Sequence, residues 1–443
     1  MAESIAAAGA VSAQMDVPVP TAAHMFDIAV ACLVITALAA WFNVRFIRLP
    51  NTIGVMAIAM LLSLALLVAS KLGFGALYAY EKQFLRSIDF SDVLMQGMLS
   101  MLLFAGALHV DVSLLRSYRW QVGVLAVFGT LVSTAIVGFA LYLLLPLVGV
   151  GLPLGYCLVF GALISPTDPI AVMGILKSAG APDNVGLVVS GESLFNDGVG
   201  VVVFSLLLGL VVRQEAPGVM DAMHLLAMEV GGGLLLGAAV GAVMFLLLRS
   251  VDHYKVEVLL TLAGVLGGYE LAQRLHVSGP LAMVIVGLVV GHHGRRLAMS
   301  DTTRHHVDLF WELLDEILNA VLFVLLGLEI VLVDFDDTYV LAGLVAVFVA
   351  LGARLLAVGV PVALAPRWFR LPAGSWQVLT WGGLRGGISV ALVLALPGGE
   401  SRDLLLTMTY AVVVFSILVQ GLSIRAVTRR AFGPRAAPVD SGH

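Results

Sequence analysis

About thirteen apolar stretches, each long enough to cross the roughly 30 Å hydrocarbon core of a bilayer, follow one another along this chain with short connections. They lie near 27–46, 52–70, 91–110, 121–146, 154–176, 187–212, 223–248, 256–273, 279–294, 312–333, 339–364, 375–397 and 403–424. That recurrence leaves few folds open. In lipid every backbone polar group must find its partner inside the protein, so only helices and closed barrels span the bilayer. The runs are too long for barrel strands and lack period-two alternation, so the chain reads as an all-α integral membrane protein. Composition agrees: 60% of residues are hydrophobic and 12% charged, against about 45–50% and about 25% in soluble domains.

The expected organisation is a flexible leader over 1–26, one transmembrane domain over 27–430 and a short cytoplasmic tail over 431–443. The leader holds Glu3 and Asp16 but no Lys or Arg, so it lacks the basic segment of a secretory signal. A net charge of only −5 argues against nucleic acid as a partner. Cys32 and Cys157 lie in apolar runs without ligand spacing and read as packing residues. No cofactor is implied.

Basic residues sort strongly by side. Sixteen Lys and Arg fall in loops on one face and at the C-terminal end, among them Arg45, Arg48, Arg116, Arg119, Arg367 and Arg370, and six fall on the other face. The positive-inside rule then puts the N-terminus outside and the C-terminus in the cytoplasm of a cell-membrane protein. Arg354 and Arg385 remain inside spans.

Spans 1–6 and 8–13 divide the chain into two six-helix units about span 7, and the extra crossing inverts the second unit. Inverted repeats with broken helices at matching positions are a recurrent plan of secondary transporters. Span 5 carries Ser165-Pro166-Thr167-Asp168-Pro169, and span 12, its counterpart, carries Gly382-Gly383-Leu384-Arg385-Gly386-Gly387. Proline removes a backbone donor and each glycine weakens a helix by about 1 kcal/mol, so both spans are expected to unwind and cross. Asp168 would then face half-helix N-termini and Arg385 half-helix C-termini, each compensating the local dipoles.

Span 6 reads Gly191-Glu192-Ser193-Leu194-Phe195-Asn196-Asp197. Glu192 with Asn196, and Ser193 with Asp197, are four residues apart and share one flank of the helix. An acid inside a membrane is a functional-site hypothesis by default. Glu192 has a partner to hand in Arg354 of span 11. Asp197 has only neutral neighbours, Ser193 and Asn196, and no spare cation.

These three strings resemble those of the cation/proton antiporter family, specifically its NhaP-type sodium/proton branch, which is related to the animal sodium/proton exchangers. The resemblance runs from span 1 to span 13. It implies that Asp197 binds the ion or the proton, with Thr167 and Ser193 as neutral ligands of sodium and Asp168 helping coordination. It also implies that Asn196 holds the crossing together, that Glu192 pairs with Arg354, and that the protein is a homodimer. One departure stands out. Many members carry an acid in an LLFEAAL-like stretch of span 3, where this chain has Leu102-Leu103-Phe104-Ala105-Gly106-Ala107-Leu108. Ala105 coordinates nothing, and His109 and Asp111 lie further towards the cytoplasmic mouth. The ion thus has one protein ligand fewer, with water in its place.

His292-His293 and His305-His306 flank a cytoplasmic loop with Arg295, Arg296 and Arg304. Histidine titrates near neutrality, but a basic loop that sets topology is the simpler reading. Glu270, Glu316 and Glu329 are set aside as packing or helix-pair residues. Two other classes compete. An intramembrane aspartyl protease would use Asp168 and Asp197 as a dyad, but no Gly-x-Gly-Asp pattern follows. A channel or an anion carrier is the other, but channels draw on rings of carbonyls from symmetric subunits, whereas this chain supplies one asymmetric site. The expectation is a non-enzymatic, electroneutral exchange of one cation (sodium, lithium or potassium) for one proton at Asp197.

Overall fold

The computed structural model describes residues 22–72, 98–213, 219–294, 299–332 and 336–433. The described chain is helical throughout. Its elements are α1 (Ala22–Phe42), α2 (Asn51–Lys71), α3 (Leu99–Leu108), α4 (Val112–Ser117), α5 (Arg119–Val148), α6 (Leu154–Ile164), α7 (Ile170–Ala179), α8 (Asp183–Arg213) and α9 (Val219–Ser250). Then follow α10 (Tyr254–Arg274), α11 (Gly279–Val289), α12 (Asp301–Leu328), α13 (Asp337–Leu364), α14 (Ser375–Trp381), α15 (Gly387–Leu394) and α16 (Glu400–Phe432). Each expected span falls on one of these helices or on a broken pair. Seven described helices are long and apolar enough to cross a membrane by length and composition. The remaining spans are broken, are shorter apolar helices, lie partly outside the described residues, or carry charge.

The breaks fall where proline and glycine cluster. α6 stops at Ile164 and α7 starts at Ile170; α14 stops at Trp381 and α15 starts at Gly387. Large apolar side chains face outward along the spans, among them Leu143, Leu235 and Phe348, as a lipid-facing surface requires. Inside are two cores. The larger joins α2, α5, α6, α13 and α16, and the smaller joins α3, α9, α10, α11 and the first half of α12 around Phe104, Met283 and Trp311. Phe195 of α8 and Ile388 of α15 pack against both.

Several boundaries differ from expectation. Span 10 begins at Asp301, not 312, because Ser300 caps α12 by accepting from the Thr303 amide at 3.4 Å. His305 and His306 therefore lie on the first turns of α12, and His306 Nδ1 sits 2.7 Å from the Thr302 carbonyl. Arg295, Arg296 and the His293 side chain lie outside the described residues. The last helix runs to Phe432, into the expected tail, because Arg425, Arg429 and Arg430 continue it as an amphipathic end. α1 starts at Ala22, inside the expected leader; residues 1–21, and Lys82 and Arg86 of the basic-residue count, lie outside the described residues.

Candidate functional site

The two breaks meet. The Asp168 amide donates to the Leu384 carbonyl at 2.8 Å, which ties one unwound segment to the other. The approach is close enough that a Cβ on Gly386 would lie 2.8 Å from the Asp168 Cβ, a distance only glycine tolerates. Asp168 thus sits beside the first residues of both α7 and α15, where unpaired amides concentrate positive potential. Arg385 does the converse. Its Nη1 donates to the carbonyls of Ser165, closely, and of Pro166, at 2.8 Å, at the C-terminal end of α6. Its own amide donates to Ser416 Oγ of α16 at 2.7 Å.

α8 packs against this crossing and supplies the rest. Asn196 Oδ1 accepts from the Thr167 amide at 3.3 Å, and its Nδ2 donates to Thr167 Oγ1 at 2.9 Å and to Glu192 Oε1 at 2.7 Å. Thr167 Oγ1 and Ser193 Oγ are 2.9 Å apart. Glu192 and Arg354 form a two-pronged pair, with Nη1 to Oε1 at 2.8 Å and Nη2 to Oε2 at 2.7 Å. Both side chains are almost wholly buried. One carboxylate therefore serves a guanidinium and an amide together.

Asp197 lies one turn from Ser193 and is 7% exposed. It lines a cavity of about 70 Å³ with Pro166, Thr167, Asp168, Asn319 and Ser389, room for a few waters or a partly hydrated monovalent ion. The charges that act on Asp197 are Asp168, Glu192 and Arg385. Arg385 corrects the expectation that no cation faces Asp197: it reaches the site across the break, which helix spacing cannot reveal. α3 brings only Leu99, Leu102, Leu103 and Gly106 to the cavity. Ala105 is buried and its carbonyl lies 2.8 Å from His109 Nδ1, while Asp111 caps α4 by accepting from the Ser113 and Leu114 amides. Neither His109 nor Asp111 is among the cavity-lining residues.

Sequence reasoning missed Asn319 and Ser389. Asn319 had a signal: a polar residue four positions beyond Asp315 on a membrane helix. Glu270 pairs on the surface with Arg274 at 2.9 Å. Glu329 is buried and accepts from the Tyr410 hydroxyl at 2.5 Å, away from the cavity.

A helical bundle with two crossing broken helices and a buried carboxylate over the crossing defines the class of secondary transporters. The family model described as "Sodium/hydrogen exchanger, transmembrane" matches residues 33–430, and the chain belongs to that family. It is 53% identical over 413 residues to the Na+/H+ antiporter NhaP of Pseudomonas aeruginosa, covering 92% of this chain and 97% of that one. It is 35% identical to the antiporter NhaH of Halobacillus dabanensis over 86% of this chain and 96% of that one. The fold matches the solved structure of the sodium proton antiporter MjNhaP1 from Methanocaldococcus jannaschii with a TM-score of 0.73, at 18% identity, over 92% of this chain and 98% of that one.

Proposed function

We propose that this chain exchanges a monovalent cation, sodium first, for a proton across the cell membrane by alternating access at Asp197. The observation that carries the reading is a buried carboxylate lining a small cavity at the crossing of two broken helices. Taking a carboxylate out of water penalises its charged form, so Asp197 holds either a proton or a cation. The empty, ionised site is too costly to reorient, and this makes exchange obligatory. Thr167 and Ser193 supply neutral oxygens to the ion, and Asp168 draws it in while facing the helix N-termini. Asn196 fixes Thr167 at both its amide and its hydroxyl. Relatives named as sodium/proton antiporters support sodium over potassium. The C-terminal end of α16 lies in the cytoplasm on this reading, in keeping with its arginines.

The test is competition. With one shared carboxylate, the apparent cation constant weakens about tenfold per pH unit below the carboxyl's pKa and flattens above it. Maximal rate changes far less, because saturating cation displaces the proton. Asp197→Asn keeps the volume, cannot ionise, and abolishes exchange in a folded protein. A pH-independent cation constant in proteoliposomes, or an active Asp197→Asn variant, removes Asp197 from this role.

A further inference from the structure

α12 carries a pair of oxygens, one at the ion cavity and one a turn away, that nothing in the exchange cycle has used. Asn319 lines the cavity and is 2% exposed. Its Nδ2 donates to the Asp315 backbone carbonyl at 2.8 Å. A carbonyl only accepts, so this bond fixes which end of the amide is oxygen. That Oδ1 is buried and has no hydrogen-bond partner among the described residues. One turn earlier on α12, Asp315 has a buried carboxylate oxygen, also without a partner, and its charge is within electrostatic reach of Asp168. The Asn319 amide group also lies within hydrogen-bond reach of the Asp315 carboxylate, but an amide oxygen and an ionised carboxylate both only accept, so the Asn319 Oδ1 and the remaining carboxylate oxygen stay unsatisfied. Across the cavity α3 presents Leu99, Leu102, Leu103 and Gly106, so no donor comes from that wall.

We propose that Asp315 and Asn319 form a second coordinating step for the transported monovalent cation, on the approach to Asp197 from the N-terminal end of α12. The ion there keeps part of its water shell and exchanges the rest for one carboxylate and one amide oxygen. The step deepens the antiport reading and rests on it. Its direction follows from the helix: Asp315 lies one turn nearer than Asn319 to the α12 N-terminus, which borders the basic, cytoplasmic face. Ions leaving or entering on that side meet Asp315, then Asn319, then Asp197. Asp315 touches the transported ion only in transit, so the proton competition at Asp197 is untouched by its loss.

The competing account is a protonated Asp315 that donates to Asn319 in a purely structural bond. Asp315→Asn separates the two, because an amide still donates but carries no charge. Exchange is measured in inside-out and right-side-out vesicles as a function of sodium concentration, for Asp315→Asn, Asn319→Ala, Asn319→Asp and Asp197→Asn. Expected for Asp315→Asn and Asn319→Ala is a five- to twentyfold weaker sodium constant from the cytoplasmic side, with maximal rate and the pH midpoint of competition within twofold of the parent. Asn319→Asp tightens the constant from that side. The step is overturned if folded Asp315→Asn and Asn319→Asp both keep the parental constant on both sides, or if they lose maximal rate with the constant unchanged. If Asp197→Asn still exchanges, the antiport reading itself falls and the step falls with it. A dead Asp197→Asn beside an unaltered Asp315→Asn removes the second step alone.

Discussion

Glu192 shows what a single residue does at this crossing. Its two oxygens take both prongs of Arg354, and one also accepts the amide of Asn196, which in turn grips Thr167. The carboxylate therefore neutralises a buried guanidinium and orients the residues beside Asp197 in one network. Removing one partner strands the other charge, at a typical cost of about 3–5 kcal/mol. Glu192→Ala and Arg354→Ala are accordingly expected to lower folded yield or melting temperature before they alter ion preference, with a charge swap recovering part of the loss. Thermal melting in detergent checks this, and single variants as stable as the parent would refute it. The pair was legible in the sequence because Arg354 is a lone cation inside a span. Arg385 over the Ser165 and Pro166 carbonyls was legible only as a compensated dipole. Its influence on Asp197 depends on how two distant segments cross, and no spacing rule encodes that.

At the scale of elements, the crossing depends on backbones that touch. Span positions were readable because lipid forces helices to satisfy their own backbone, and the breaks because proline lacks the amide donor and clustered glycines weaken the helix. Helix ends outside the lipid were less readable. α12 gains its first eleven residues from a serine cap and polar turns that hydropathy scores as loop. The contact between breaks yields a sharp prediction. Adding a methyl at Gly386 sets a carbon 2.6 Å from Asp168 Oδ2 and 2.8 Å from its Cβ, and overpacking of this kind costs about 1–3 kcal/mol. Gly386→Ala is expected to separate the breaks, weaken the Asp168–Leu384 bond and cut exchange more than tenfold. Gly352→Ala on α13, where nothing lies within 4 Å, is the control and keeps parental activity and stability. Equal exchange rates in the two variants would mean that the crossing tolerates a gap.

For the whole molecule the deciding quantity is the charge carried per cycle. Glu192 cancels Arg354 in a direct pair, and Arg385, held on the Ser165 and Pro166 carbonyls, acts at longer range on Asp197. On the antiport reading the exchanging charge is that of Asp197, which makes no direct ion pair among the described residues, and either a proton or a monovalent cation balances it. On the proposed cycle the site travels neutral in both directions, and it lies at the border of the two cores, where Phe195 and Ile388 touch each. An electroneutral cycle draws nothing from the membrane potential. A cycle moving one net charge would gain about 2.3 kcal/mol per 100 mV, a shift of roughly fiftyfold in the equilibrium ion ratio. In proteoliposomes with a fixed sodium gradient and no pH gradient, an imposed potassium-diffusion potential of either sign is therefore expected to leave sodium-dependent proton flux unchanged. Flux that reverses or scales with the imposed potential would show that a second charge crosses, and Asp168, the other carboxylate lining the cavity, would be its carrier. Asp168→Asn then discriminates: it restores potential-independence if Asp168 carries that charge, and leaves the voltage dependence intact if some group outside the crossing does.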